Sequence, residues 1–394
     1  MHRVRIDRFD PGKRRLVVFS DVHADLSSLR RALDAAHLRP DDILVPVGDY
    51  IERGPDSLGT LRFMMDLCRR YETHALIGNV DSYVLRMFTQ ENPGADGSLV
   101  RALSFRSPRE CRWAREARAA FGLDAVPELN PPPIEDEEAG AAWLNPARKA
   151  ALYAFRDRFR ETYARELSWM EALPAIADTP QRIFVHGGLP HEDLPALVGT
   201  DDWWLTKNDN FIGQGLKFSR TVVVGHYPAI LYRPGIADSR PFYSPSQNIL
   251  AIDGGSGVKL DGQVNVLVFP DPDSAWYELY FADALPPYEA LDAQTASERP
   301  VSVHWGDHWV DILRREGDCL YVRHRSTGRT LWVPAAFLYR DGAPAQIEDS
   351  TSYELPVKPG DRLGLVCRTS RGAVVKKGSV TGWYMGRLAG NTRP

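Results

Sequence analysis

The sequence predicts an α/β protein that carries a small all-β region towards its C-terminal end. Strand-like runs each break into a loop and then a helical stretch, polar residues stand at those strand ends, and short β-type runs crowd together after residue 300. With 394 residues, 43 % of them hydrophobic, the chain has material for one full core and a second, smaller one.

The first unit of the pattern is residues 15–20, an apolar and β-branched run that breaks into Asp21-Val22-His23 before the helical spacing of 26–36. It recurs at 43–47, which runs into Gly48-Asp49 ahead of helical 57–71, and at 74–77, which runs into Gly78-Asn79 ahead of helical 82–90. Such a succession predicts a sheet with its functional loops at the strand ends.

From about 89 to 180 the chain is charged and rich in Arg, Ala and Glu, and Asn130-Pro131-Pro132-Pro133 interrupts it. Over 145–173 the apolar residues Leu152, Tyr153, Phe155, Phe159, Tyr163, Leu167 and Met170 fall mostly at helical spacing, so a helical insertion is expected. Strands are expected again at 182–185, 221–224, 248–252, 264–269 and 276–281. Residues 283–300, with Pro286-Pro287, read as a linker. Beyond it the runs 309–313, 319–324, 330–333, 362–368, 373–376 and 378–385 alternate with turn signals and predict a compact barrel. The expected division is a first domain over 14–282, the linker over 283–300 and a β domain over 301–394.

A net charge of −4 and a pI near 6.2 give no electrostatic reason to expect nucleic acid or an anionic membrane as partner. Small solutes or proteins fit better. The first thirteen residues are charged throughout, and nothing later approaches the roughly 20 apolar residues of a membrane helix. The expected compartment is the cytoplasm. Cys68, Cys111, Cys319 and Cys367 lack C-x-x-C spacing and read as reduced thiols. The tryptophans Trp203, Trp204, Trp305, Trp309 and Trp332 could form a recognition surface, with packing the expected use.

Chemistry is carried by the strand ends, which deliver Asp21 and His23, then Asp49, Asn79, His186 and His226. One Asp-x-His means little. Carboxylates, imidazoles and an amide together suit manganese, iron or zinc, and the set holds enough donors for two ions if one carboxylate bridges. The neighbouring glycines, such as Gly48, Gly78 and Gly225, allow the tight turns that convergence needs.

Asp21-Val22-His23, Gly48-Asp49-Tyr50-Ile51-Glu52-Arg53-Gly54, Gly78-Asn79, His186-Gly187-Gly188 and Gly225-His226-Tyr227-Pro228 resemble, in order, the motifs of calcineurin-like metallophosphoesterases. The Arg53-Gly54 ending and the histidine of the GHYP turn look like the phosphoprotein phosphatase branch, which includes bacterial diadenosine tetraphosphate hydrolases. Ile252-Asp253-Gly254-Gly255 is similar to the glycine-rich strand end that follows, so the resemblance covers roughly 15–269. It implies a four-layer β-sandwich flanked by helices, and it makes the C-terminal region similar to SH3-like modules that serve docking or regulation.

The resemblance also implies roles. Asp21 and His23 would hold one metal with Asp49 bridging, and Asn79, His186 and His226 the other, with manganese first and iron or zinc as alternatives. Arg53 would bind the substrate phosphate through its planar fork of donors, and Asn79 would also contact the substrate. Hydrolysis of a phosphate ester by a metal-bridging hydroxide is the activity implied, most directly a serine/threonine-type protein phosphatase acting on a phosphoprotein or a phosphorylated small molecule. Phosphodiesterase and dinucleoside polyphosphate hydrolase are the alternatives, and a degenerate, phospho-ligand-binding scaffold is the alternative from another class.

Two departures bear on the substrate. The family's acid histidine after Gly-Asn is replaced by Val80, which can neither donate nor accept a proton; Asp81 or Glu52 would have to take that role if burial raises its pKa. The second phosphate-binding arginine is missing as well, and Lys207 in Trp204-Leu205-Thr206-Lys207 is its substitute. Asp25 and Asp253 fit helix capping and turn formation as well as a place behind the metal ligands.

Overall fold

The computed structural model describes residues 3–104 and 112–389; Cys111 lies outside them, and Cys68, Cys319 and Cys367 are free thiols. The chain divides into two compact units. The first comprises Met1–Tyr227, Tyr243–Val258 and Val264–Ala282, and the second Pro228–Phe242, Lys259–Gln263 and Asp283–Pro394.

Two sheets build the first unit. One runs in the order Glu278–Ala282, Val264–Phe269, Leu16–Phe19, Ile43–Pro46, Glu72–Thr73, with the Leu16 strand parallel to the Ile43 strand and antiparallel to the Val264 strand. The other contains Ile6–Arg8, Ile176–Asp178, Arg182–Val185, Thr221–Val224 and Ile249–Ala251, and its Arg182, Thr221 and Ile249 strands are parallel. Leu16, Val18, Val45 and Leu267 of the first sheet meet Phe184, Val223 and Leu250 of the second in one buried cluster. Val17 and Phe19 point the other way and are also fully buried. Burial on both faces is why these strands read as unbroken apolar runs rather than as alternation.

Helix Leu26–Ala36, capped where the Asp25 carboxylate accepts from Ser28 N at 3.0 Å, packs on the Val264 and Glu278 strands. The expected strand at 74–77 contracts to Glu72–Thr73 with a bridge at Leu76, and the helix behind it begins at Asn79 itself. The insertion is helical where described, with Pro93–Ser104, Arg112–Ala120, Glu137–Trp143, Pro146–Thr162 and Ala164–Ala172. Trp113, Phe155, Phe159 and Tyr163 form its aromatic core together with Phe88 of the preceding helix, beside the buried ion pair of Arg156 with Asp96 at 2.8 Å.

The second unit departs from the expectation of one small barrel. It holds two five-stranded antiparallel sheets with separate apolar clusters, one around Val303, Val322 and Val333 and one around Leu355, Leu363 and Val375. Residues 283–300 are not a spacer: Pro287–Glu289 is an edge strand paired with Arg362–Thr369, and Gln294 bridges Val357. Strand Ala237–Asp238 joins the same sheet through Val380–Tyr384. Alternation fixes which residues share a face, but it carries no record of which strands pair.

The expected packing of the tryptophans fails at four positions: Trp203, Trp204, Trp305 and Trp309 are 44, 71, 52 and 39 % exposed. Trp332 is half-buried between the guanidinium groups of Arg314 and Arg371. No described helix is long and apolar enough to cross a membrane.

Candidate metal centre

The loops that follow the Leu16 and Ile43 strands are joined backbone to backbone: Asp21 N donates to Gly48 O at 3.0 Å, His23 N to Asp49 O at 3.0 Å and Ala24 N to Tyr50 O at 2.8 Å. These bonds hold Asp21, His23 and Asp49 at φ of 51°, 46° and 57°, and His226 is at 64°. Left-handed backbone costs a non-glycine residue about 1–3 kcal/mol and persists where surrounding contacts over-determine it. Glycine is required where strand ends meet: a Cβ on Gly78 would lie 2.1 Å from Asp49 Oδ1, and one on Gly225 2.4 Å from Asp21 Oδ2.

Six expected ligands come together. The ligating atoms of Asp21, His23 and Asp49 lie within 4.8 Å of one another, as do those of Asp49, His186 and His226, so Asp49 belongs to both groups. Asn79 Oδ1 is 3.1 Å from His186 Nε2, which is 3.4 Å from Asp49 Oδ2. His186 Nδ1 faces the Val47 carbonyl at 2.7 Å, leaving Nε2 directed at the carboxylate. The His226 backbone N–H donates to Asp21 Oδ2 at 3.0 Å.

The electrostatics suit added positive charge. Burial pushes the Asp21 carboxyl up to about 6 against the pull of His186, and burial drives His23 down to about 3 despite Asp49. Burial also opposes the charge on His186, yet Asp49 and Asp21 hold its proton up to about 10. Asp253, wholly buried, is raised far above the ordinary carboxylate range by burial and then by Asp21, and its Oδ2 has no hydrogen-bond partner among the described residues. Clustered buried carboxylates interleaved with imidazoles fit a set of divalent cations with oxygen and nitrogen donors.

Of the other expected residues, Arg53 sits half-buried beside His23, whose protonation its charge opposes, and it pairs with no carboxylate among the described residues. Lys207 reaches the site: its Nζ is 3.3 Å from His226 Nε2 and pairs with Asp209 at 2.5 Å. Asp81 and Glu52, the expected proton donors, are both engaged by backbone N–H groups. Asp81 is fully buried and accepts from Asp49 N at 2.8 Å, Tyr50 N at 3.0 Å and Gly78 N at 3.0 Å, so both of its oxygens secure backbone rather than face a substrate. Glu52 turns to the insertion and accepts from the backbone N–H groups of Arg112 and Trp113, the latter at 3.2 Å, at the start of helix Arg112–Ala120. Burial lifts both carboxyls to about 7, but their hydrogen bonds direct them to structure.

Sequence reasoning missed Asp209, whose Oδ1 lies 2.8 Å from His226 Nε2. It belongs to no recognised motif, and only the return of its loop to the GHYP turn brings it there.

The family model for calcineurin-like phosphoesterases matches residues 14–254. A symmetrical bis(5'-nucleosyl)-tetraphosphatase of Aeromonas hydrophila subsp. hydrophila is 44 % identical over 66 residues, 16 % of this chain and 23 % of that protein. One from Ralstonia nicotianae is 51 % identical over 39 residues, 10 % of this chain and 14 % of its own length. The chain thus spans less than a quarter of these curated relatives. Among solved structures, a metallophosphoesterase from Sphaerobacter thermophilus is 16 % identical, with 69 % of this chain and 89 % of that one covered and a TM-score of 0.36. A cold-active protein-tyrosine phosphatase of a psychrophilic Shewanella sp. is 15 % identical, with 71 % and 83 % covered and a TM-score of 0.39.

Proposed function

The chain belongs to the calcineurin-like phosphoesterase family, and we propose that it hydrolyses phosphate esters with two divalent metal ions at the centre built around Asp49. Asp21, His23 and Asp49 would hold one ion, and Asp49, Asn79, His186 and His226 the other, with manganese the first ion to test and iron and zinc the next. The observation that carries this reading is the carboxylate of Asp49 shared by two buried ligand groups. Bound there, two such ions supply an activated water and neutralise phosphoryl charge.

The protein's own residues do the rest. Arg53 offers a planar guanidinium, uncommitted to any described carboxylate, to the phosphoryl oxygens. Lys207 adds a second cation next to His226. Val80, at the N-terminus of its helix, orients Asp49 through its backbone N–H at 2.9 Å and brings no proton donor.

That last point bears on the substrate. A serine or threonine alkoxide is a poor leaving group and gains about 10²–10⁴-fold from a positioned general acid. Neither Asp81 nor Glu52 is free for that work, so the reading favours substrates whose leaving group departs as a stable anion, a phosphoanhydride above all. Dinucleoside polyphosphates belong to that class, in keeping with the activity named for the curated relatives, and phosphoproteins rank behind them. The test is Mn-loaded turnover of diadenosine tetraphosphate, bis-p-nitrophenyl phosphate and a phosphoserine peptide side by side. Preference for the anhydride is expected. Faster turnover of the phosphoserine peptide would return the assignment to protein phosphatase, and binding without turnover of any of them would make the chain a phospho-ligand receptor.

A further inference from the structure

Asp209 lies between the short helix Trp203–Thr206 and the turn Ile212–Gln214, outside every motif that pointed to the site. Its Oδ1 is 2.8 Å from His226 Nε2 and also accepts from Lys207 Nζ. A carboxylate only accepts, so its 2.8 Å contact, shorter than the 3.3 Å approach of the Lys207 ammonium to the same nitrogen, places a hydrogen on Nε2 of His226 and leaves Nδ1 with the lone pair. His186 is arranged in the opposite sense, with Nδ1 turned to the Val47 carbonyl and Nε2 towards Asp49. Each imidazole therefore has one nitrogen tied to an acceptor outside the ligand set and the other available to a cation.

We propose that Asp209 is a positioning residue that fixes the Nε2–H tautomer of His226, presents Nδ1 as the ligating atom, and holds the Lys207 ammonium beside it. One carboxylate thereby couples a metal ligand to the cation that faces the substrate. The proposal rests on the two-ion reading of the site. Outer-sphere acceptors of this kind set ring orientation and ligand basicity, and their loss typically weakens metal binding about 10–100-fold. The Asp209 side chain is 65 % exposed, so its removal leaves no cavity in the core.

The test uses the full chain with Asp209→Ala, Asp209→Asn and Asp49→Ala. Two readouts are needed: calorimetric titration with Mn²⁺, and long-range ¹H–¹⁵N spectra of the metal-free histidine rings. Asp209→Ala is expected to weaken one Mn²⁺ binding event about 10–100-fold and to shift His226 from the Nε2–H form to a tautomer mixture. Asp209→Asn retains a carbonyl acceptor, so it is expected to restore the tautomer and most of the Mn²⁺ affinity while raising KM through the loss of the Lys207 ion pair. Unchanged Mn²⁺ affinity and ring spectra in Asp209→Ala, with binding lost in Asp49→Ala, would overturn the role of Asp209 and leave the metal centre standing. Unchanged binding in Asp49→Ala would overturn the centre itself.

Discussion

The backbone N–H of Val80 donates to Oδ1 of Asp49 at 2.9 Å. The residue that lacks a titratable side chain thus still acts on the carboxylate shared by both ligand groups. Asn79 is the first residue of the same helix, so one helix N-terminus supplies a candidate ligand and steadies another. The positive end of the helix dipole favours the negative charge placed there.

Asp49→Asn is expected to remove the shared charge without altering the fold. Metal analysis of the purified protein should show fewer than two bound ions. Lewis-acid assistance contributes several kcal/mol, so hydrolysis should fall roughly 10³-fold at about 1.4 kcal/mol per decade. Full retention of both ions and of activity would count against the centre.

Val80→His keeps the backbone bond to Asp49 and adds an imidazole at the rim of the site. Turnover of a phosphoserine peptide is expected to rise, by up to about 10²-fold at the lower end of general-acid effects, while that of diadenosine tetraphosphate changes little. Equal effects on both substrates, read as kcat/KM ratios, would argue against a missing acid.

Glu52 gives a pH dependence with a defined sign. Burial raises its carboxyl from 4.5 to about 7, so the folded state holds a proton that the unfolded state has released. The stabilisation is full below pH 4.5 and is lost as pH rises through about 7, a span worth roughly 3 kcal/mol at 1.36 kcal/mol per unit. Glu52→Gln should flatten this slope in denaturant titrations across pH 5–8. An unchanged slope would assign the pH dependence to other groups.

Helices Pro93–Ser104 and Glu137–Trp143 touch at glycines. A Cβ on Gly97 would lie 1.9 Å from the Glu137 carbonyl oxygen, and one on Gly140 2.4 Å from the Gly97 carbonyl oxygen. Gly97→Ala should therefore cost about 1–3 kcal/mol by overpacking and lower Tm by several degrees. Neither glycine touches a candidate ligand, so Mn²⁺ affinity should stay unchanged, as titration of the variant would show.

Legible in the linear chain were the strand-loop-helix succession, the helical character of the insertion and six candidate ligand positions. Each depends on local information: apolar periodicity, glycine beside a polar strand end, and order along the chain. Asp21 and His226 lie 205 positions apart, yet both were legible because each ends an apolar run. What the polar residues between those landmarks do is set by contacts distant in the chain. Asp81 and Glu52 are carboxyls of suitable spacing, but their oxygens are claimed by backbone N–H groups from loops and helices that no periodicity records. Asp209 became a neighbour of His226 through a loop return, and strands from 237–238 and 287–289 joined a sheet assembled after residue 360. Pairing of strands and direction of side chains are set by long-range packing, and a linear pattern contains the candidates without their partners.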